Sequence, residues 1–368
     1  AGAFRLKLDL INVASDNEVY VATNGSHAFP YGSWETAATN IQTAIDKVET
    51  ALAYGGTNRT VWVTNGLYNL PAELVIGREV LLACPWGPTG AIVNGGSAAR
   101  CLTINSAGAM VSGLTFTNGQ GGSVASGVYM TGGTLSNCVV TGCRNYRALY
   151  VAAGTADQCR IQQNTAGNGG GLRLAGGVAR GCTISGNSGT PSGLGVYVTS
   201  GLLVDSVVAG NASSDGPGAG IYMTGGTVSN GAVISNTIAA WHQNGGGVYM
   251  TGGLLTDSTV AGNTVGAGNG SSSSGGVRAD GGTVRNCVVR GNLADYGGGI
   301  YLNGGVAQNS VARDNTARLQ VGGVYVGAGR LEHGTIVSNS ALASVGGGLL
   351  LSGGGVTNTI VYFNAAPA

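Results

Sequence analysis

The chain has 368 residues, of which 70 are glycine and only 9% are charged, and its formal net charge is +1. Lysine occurs only at Lys7 and Lys47, so there is no basic face and no interleaved stacking platform, which argues against a nucleic-acid partner. No apolar run approaches the roughly 18 residues that a membrane span needs, and a start at Ala-Gly-Ala without methionine reads as a processed, secreted chain.

Residues 1–17 read as an N-terminal arm. The segment Phe4-Arg5-Leu6-Lys7-Leu8-Asp9-Leu10-Ile11 alternates apolar and charged residues, the pattern of an amphipathic strand. Phe4, Leu6, Leu8 and Leu10 have no partner in the repeat that follows. Two placements are open: addition to the exposed edge of a neighbouring chain, or folding back on the chain's own cap.

Residues 18–117 read as a cap and the first irregular coils. Strands are expected over 18–22 and 60–64, with a helix over 34–48 between them, because Ile41, Ala44, Ile45 and Val48 fall on one helical face. A stacked array needs such a cap, since its first unit otherwise exposes an apolar interior and an unpaired backbone edge.

Residues 118–368 repeat one phrase. Clear copies are GVYMTGGTLSNCVVTGC (127–143), GIYMTGGTVSNGAVISN (220–236), GVYMTGGLLTDSTVAGN (247–263) and GIYLNGGVAQNSVARDN (299–315). The closing positions are Asn118, Cys143, Asn164, Asn187, Asn211, Asn236, Asn263, Asn292, Asn315, Asn339 and Asn364, about 21 to 29 residues apart. That period means a solenoid. Each unit is punctuated by glycine and rich in Val, Ile, Thr and Tyr, with three short extended runs, which is the content of one coil of a parallel β-helix.

Stacking turns each repeat position into a column with a rise of about 4.8 Å per coil. The closing asparagines form one column, an amide ladder along the axis whose role is structural. A column of small residues (Cys138, Cys159, Cys182, Ser206 and their successors) faces inward, and the column before it, mostly Asn or Asp, suits a bend. A fourth column holds Tyr129, Tyr150, Arg173, Tyr197, Tyr222, Tyr249, Arg278, Tyr301 and Tyr325 between inward Val, Ile or Leu, and should face outward. It is either a self-stacking ladder that stiffens the sheet or a contact face for a sugar, a surface or another protomer.

The phrase Val/Ile-x-x-Asn, then a loop, then Gly-Gly-Val/Ile resembles the FxxN and GGA[ILV] repeat of the polymorphic outer-membrane proteins, a group of autotransporter adhesins, with Val or Ile in place of Phe. The order YVATNG, amphipathic helix, TVWVTNGLYN resembles the N-terminal cap of secreted pectate-lyase-like β-helices. The two resemblances imply an all-β, right-handed parallel β-helix of about eleven coils with an N-terminal helical cap, extracellular or at a cell surface, with adhesion implied only weakly.

Some members of this architecture cleave polysaccharides, which needs converging carboxylates or a calcium cluster. Asp205 and Asp257 share a bend column with Asn230 between them, a pattern that fits a turn better than a catalytic pair. No cofactor or metal is expected, and the cysteine spacings match no zinc pattern. Of seven cysteines, Cys84 and Cys101 are the best disulfide candidates, and the inward-column thiols read as small hydrophobes. Trp241 and His242 form the one chemically loaded loop, read as a contact site. The last coil has no polar cover in the sequence: it is truncated, covered by another domain, or a polymerisation surface on which Leu349, Leu351, Val356 and Ile360 receive the arm. The leading expectation is a non-enzymatic structural solenoid that assembles head to tail with itself. The alternatives are a solitary adhesin binding cell-surface glycans, or a polysaccharide lyase or hydrolase.

Overall fold

A computed structural model describes residues 18–166, 170–190, 192–240, 244–266, 273–344 and 346–367. Phe4, Leu6, Leu8, Leu10, Trp241 and His242 lie outside the described residues. The chain divides into two compact units, one running to Arg144 and including Ala148–Arg160, the other comprising Asn145–Arg147 and everything from Ile161.

In the first unit the strands from Val19 to Thr141 pair in parallel and in three series. Val19–Val21 pairs with Thr60–Val63, which pairs with Leu81–Ala83, then Met110–Ser112, then the second half of Ala125–Ser136. Leu74–Ile76, Leu102–Ile104 and the first half of Ala125–Ser136 form the second series, and Gly66–Asn69, Ala91–Asn94, Leu114–Thr117 and Val139–Thr141 the third. Alternation sends Leu82, Leu102, Ile104, Leu114, Phe116 and Met130 inward, where all are fully buried.

The helix α1 spans Ile41–Ala53 rather than 34–48. The earlier residues are held away from a helix by the reciprocal Ser33–Thr36 hydrogen bonds and by Ala38, which bonds Tyr20 and Ala22 in extended form. Asn40 supplies the N-cap, its Oδ1 accepting from the Thr43 N–H at 3.2 Å. The helix packs its apolar face over Val19–Val21, Thr60–Val63 and Leu74–Ile76, covering the end of the first coil.

The second unit repeats four strands per coil, not three. Beside the three expected series stands an eight-stranded parallel sheet of very short strands, from Thr165–Ala166 to Ser340–Ala341. It occupies what the repeat pattern marks as a Gly/Ser loop. Most of these strands are too short to show periodicity, but the second residue after the ladder asparagines Asn211 to Asn315 (Ser213, Ile238, Val265, Ala294, Ala317) is buried, and Ala219, Ile238, Val265 and Ala294 pack as one cluster.

Each coil turns two sharp corners through left-handed backbone. The first is the Asn/Asp column: Gly181, Asp205, Asn230, Asp257, Asn286, Asn309, His333 and Asn358 all have φ between +47° and +59°. Asn and Asp tolerate this region better than other side chains. The second lies just before the ladder, at Gly186, Gly210, Ser235, Gly262, Gly291, Asp314, Ser338 and Phe363.

The ladder itself is continuous from Asn164 to Asn364. In every step the Nδ2 and the backbone N–H of one asparagine donate to the Oδ1 of the next; between Asn236 and Asn263 both distances are 2.9 Å. The same Nδ2 also donates backward to a strand carbonyl, as Asn263 does to Val233 at 2.9 Å. Members from Asn187 to Asn339 are essentially inaccessible to water. Asn118 does not belong to this column. Thr117 pairs with Thr141, so Asn118 stands opposite Gly142 at the left-handed corner, with its side chain exposed and its Nδ2 donating to Asn94 at 3.1 Å.

In the second unit the glycine that opens each coil, from Gly171 to Gly348, sits against the ladder or the carbonyl of the next such glycine. A Cβ on Gly220 would lie 2.4 Å from the Gly247 carbonyl oxygen and 2.9 Å from Asn236 Nδ2, so no side chain fits.

All seven cysteines are buried free thiols, including Cys84 and Cys101, which form no disulfide. Burial pushes the Cys138 thiol up to about 12 and Cys287 to about 11, so both stay protonated and unreactive.

Replacing Asn263 by Ala leaves the Asn236 donors and the Val233 carbonyl without partners in a dry interior, at about 1–3 kcal/mol for each group. Chemical denaturation should show Asn263→Ala losing several kcal/mol, whereas Asn286→Gly, at an exposed left-handed corner, should change stability by less than about 1 kcal/mol. Equal losses would show that the ladder contributes no more than a turn.

Candidate functional site

The outward column between buried aliphatic positions is a strip of stacked rings and guanidinium groups. Val196, Ile221, Val248, Ile300 and Val324 are buried, and the Tyr that follows each is half-buried on the outer face. Parallel register brings equivalent residues together: Tyr197 pairs with Tyr222, Tyr222 with Tyr249, Tyr249 with Arg278, Arg278 with Tyr301 and Tyr301 with Tyr325.

Tyr222 lies 4.9 Å from Tyr197 and 5.3 Å from Tyr249, the latter pair within 8° of parallel. Arg278 lies over Tyr301 at 4.9 Å and Arg173 over Tyr197 at 4.6 Å. Tyr301 and Tyr325 stack at 4.3 Å. In the first unit Tyr129 and Tyr150 stack at 5.4 Å with Arg100 over Tyr129.

This geometry decides what the strip can do. Tyr222, Tyr249 and Tyr301 each have both ring faces occupied by a neighbouring ring or guanidinium, so no face is free for a sugar. What remains outward is ring edge and hydroxyl. Stacking of this kind contributes about 0.5–1.5 kcal/mol per pair beyond burial and stiffens the sheet.

One coil departs from the rule in a coordinated way. Where Arg278 replaces tyrosine, Asp280 stands two residues on, in the column that holds Thr199, Thr224 and Thr251. Asp280 accepts from Arg278 Nε at 2.9 Å and from the Tyr249 hydroxyl at 2.7 Å, and Arg278 Nη1 donates to Asn244 Oδ1 at 3.0 Å. The paired Tyr-to-Arg and Thr-to-Asp changes at i and i+2 were the signal in the sequence. Burial, then the hydrogen bond that the Tyr249 hydroxyl donates to the Asp280 carboxylate, push the Tyr249 phenol up to about 12.

The carboxylates of the coils are used in local bonds. Asp205 accepts from Asn230, Asp257 from Asn286 and Thr256, Asp295 from Arg318, Asp314 from Arg313 and Glu332 from Gln308. Among the described residues no group of three or more His, Cys, Asp or Glu is placed to hold a metal, and no helix is long and apolar enough to cross a membrane.

The last described coil pairs in register with the one before it. Leu351 pairs with Val326 and Val361 with Ile336, yet Leu351 is 51% and Val361 44% exposed where their partners are 0% and 1%. Leu349 and Val356 are half-buried on the same coil. Ile360 is not an axis-facing position: it pairs with Thr335, so the inward residue of that strand is Val361. A run of three apolar residues, Ile360-Val361-Tyr362, carries no alternation from which the sequence could set its phase.

A family model described as a right handed beta helix region matches residues 205–366. With the parallel register and coil stacking above, this decides the architecture. The fold is an all-β, right-handed parallel β-helix of about 12 turns, with a single short helix among the described residues. No curated protein and no solved structure matches the chain.

The Tyr249 assignment has a spectroscopic consequence. The folded state holds this proton more tightly than the unfolded chain, whose tyrosine ionises near 10. The contribution to stability is therefore intact below about pH 10 and is lost as pH rises toward 12. Phenolate absorbance should reveal a tyrosine ionising near 12 that moves down in Asp280→Asn. Ionisation of all tyrosines together near pH 10 would reject the assignment.

Proposed function

We propose that this chain is a non-enzymatic extracellular structural β-solenoid that assembles end to end with copies of itself. The observation that carries this reading is the in-register stacking of the coils, in which each parallel strand and each Tyr or Arg of the outer strip is matched by its copy one coil on. An open parallel edge with apolar axis-facing side chains accepts further strands readily. Contact between unlike ends does not close on itself and so produces a filament. The segment at residues 1–17, in which Phe4, Leu6, Leu8 and Leu10 alternate with other residues in the sequence, has the pattern suited to add to such an edge of a neighbouring copy. The resemblance of the repeat to autotransporter adhesins supports the extracellular setting.

The non-enzymatic part is supported by the local hydrogen bonds of Asp205, Asp257, Asp280, Asp295, Asp314 and Glu332, each of which already accepts from a neighbouring donor. The sandwiching of Tyr222, Tyr249 and Tyr301 favours a stiffening role for the strip over a sugar platform.

The full chain should form concentration-dependent filaments in negative-stain images and in sedimentation. Deletion of residues 1–11, and separately Leu351→Lys with Val361→Lys, should give soluble folded monomers. A full-length chain that stays monomeric at high concentration, or a deletion that assembles as before, would sink the proposal.

Pectins, alginates and other acidic polysaccharides should remain uncut with or without calcium. Cleavage that disappears in Asp205→Asn or Asp257→Asn with folding retained would reverse the non-enzymatic reading.

A further inference from the structure

Three of the four tryptophans of this chain converge on one surface concavity of the first unit. It is lined by Glu18, Tyr20, Trp34, Trp62, Pro85 and Trp86 and has a volume of about 300 Å³. Parallel register creates it: Tyr20 pairs with Trp62, so both project from the outer face side by side, and Pro85 and Trp86 follow the next strand, Leu81–Ala83. Trp34 reaches over from the segment that precedes α1.

The rings form walls at an angle rather than a flat platform. Tyr20 and Trp34 are 4.5 Å apart at 70°, and Trp34 and Trp86 are 5.9 Å apart at 49°. Trp34 and Trp86 are 39% and 54% exposed, a large apolar surface to leave in water in a chain with so few aromatics. Glu18 stands at the rim. Its carboxylate accepts from the Tyr20 hydroxyl at 2.7 Å, and this bond, followed by one from the Trp62 side chain, holds the carboxyl below its ordinary value. Among the described residues no Lys or Arg pairs with it.

We propose that this concavity binds a quaternary ammonium group, the rings contacting its methyl groups and Glu18 balancing its charge. The chemistry selects this class. Inclined aromatic faces attract a cation through the ring quadrupole, and the carboxylate supplies a net negative charge whose oxygens are already engaged by Tyr20 and Trp62. A quaternary ammonium donates no hydrogen bond and therefore needs no free acceptor. A pyranose ring would instead want a flat stacking face with several free polar partners. The inference does not depend on end-to-end assembly, since it involves the outer face of the first coils only.

The test is a titration of the full chain with choline, followed by tryptophan fluorescence, beside its neutral carbon isostere 3,3-dimethylbutan-1-ol. A saturable change is expected with choline, with the isostere weaker by about tenfold. Glu18→Gln and Trp86→Ala should each weaken choline by about tenfold or more with circular dichroism unchanged. Both side chains are exposed, so neither change should disturb folding. Absence of saturation by about 50 mM choline, equal affinity for the isostere, undiminished binding in either variant, or saturation by a methyl glycoside in place of choline would each overturn the assignment.

Discussion

The asparagine ladder is the constraint on which the second unit depends. A side-chain amide in a dry interior has to satisfy two donor hydrogens and an acceptor oxygen. Here each amide does so only if another asparagine stands one coil above and one below, in register. The ladder therefore penalises any slip between coils: a displacement by one residue would strand several buried polar groups at once. It also explains the glycine beside it in the coils of the second unit, because the ladder amide fills the space a Cβ would take at Gly220 or Gly247.

The corners follow from the same geometry. To bring an asparagine inward immediately after a strand, the chain must turn within one residue, and the left-handed conformation of Gly210, Ser235 or Gly262 does this. The other corner uses Asn and Asp, whose side chains then bond one another along the exterior, as Asn286 does to Asp257 at 3.0 Å. Carboxylates on a β-helix surface invite a catalytic reading. In these coils the corner chemistry accounts for Asp205 and Asp257, and the Tyr–Arg strip accounts for Asp280.

Lateral and axial surfaces differ in kind. Along the sides, each strip residue is covered by the copy above and the copy below, so repetition saturates the faces of the rings. Along the axis a coil is sealed by the next one, as Val326 is by Leu351 and Ile336 by Val361. The first unit is different again, because irregular coils put unlike residues side by side. Tyr20 beside Trp62, with Trp34 and Trp86 above them, is a constellation that a regular repeat would not build.

The sequence by itself determined the coil. The period of the closing asparagines, the alternation in phrases such as Val248-Tyr249-Met250 and the Gly-Gly turns dictate a stacked parallel architecture, because each repeat position must become a column. The inward aliphatic column, the outward tyrosines, the left-handed Asn/Asp corner and the amide ladder are all legible from it. Only the tertiary structure decided what lies outside that periodicity. The fourth strand of each coil is two to five residues long, too short to show alternation; Asn118 carries the right residue one position out of the ladder; Ile360 and Val361 exchange roles because an apolar run conceals its phase; and α1 begins at Ile41 because Ala38 is committed to a bridge with Val21. The meeting of Trp34, Trp62 and Trp86 was equally hidden, since it depends on pairing between strands that are far apart along the chain and on a loop that no repeat constrains.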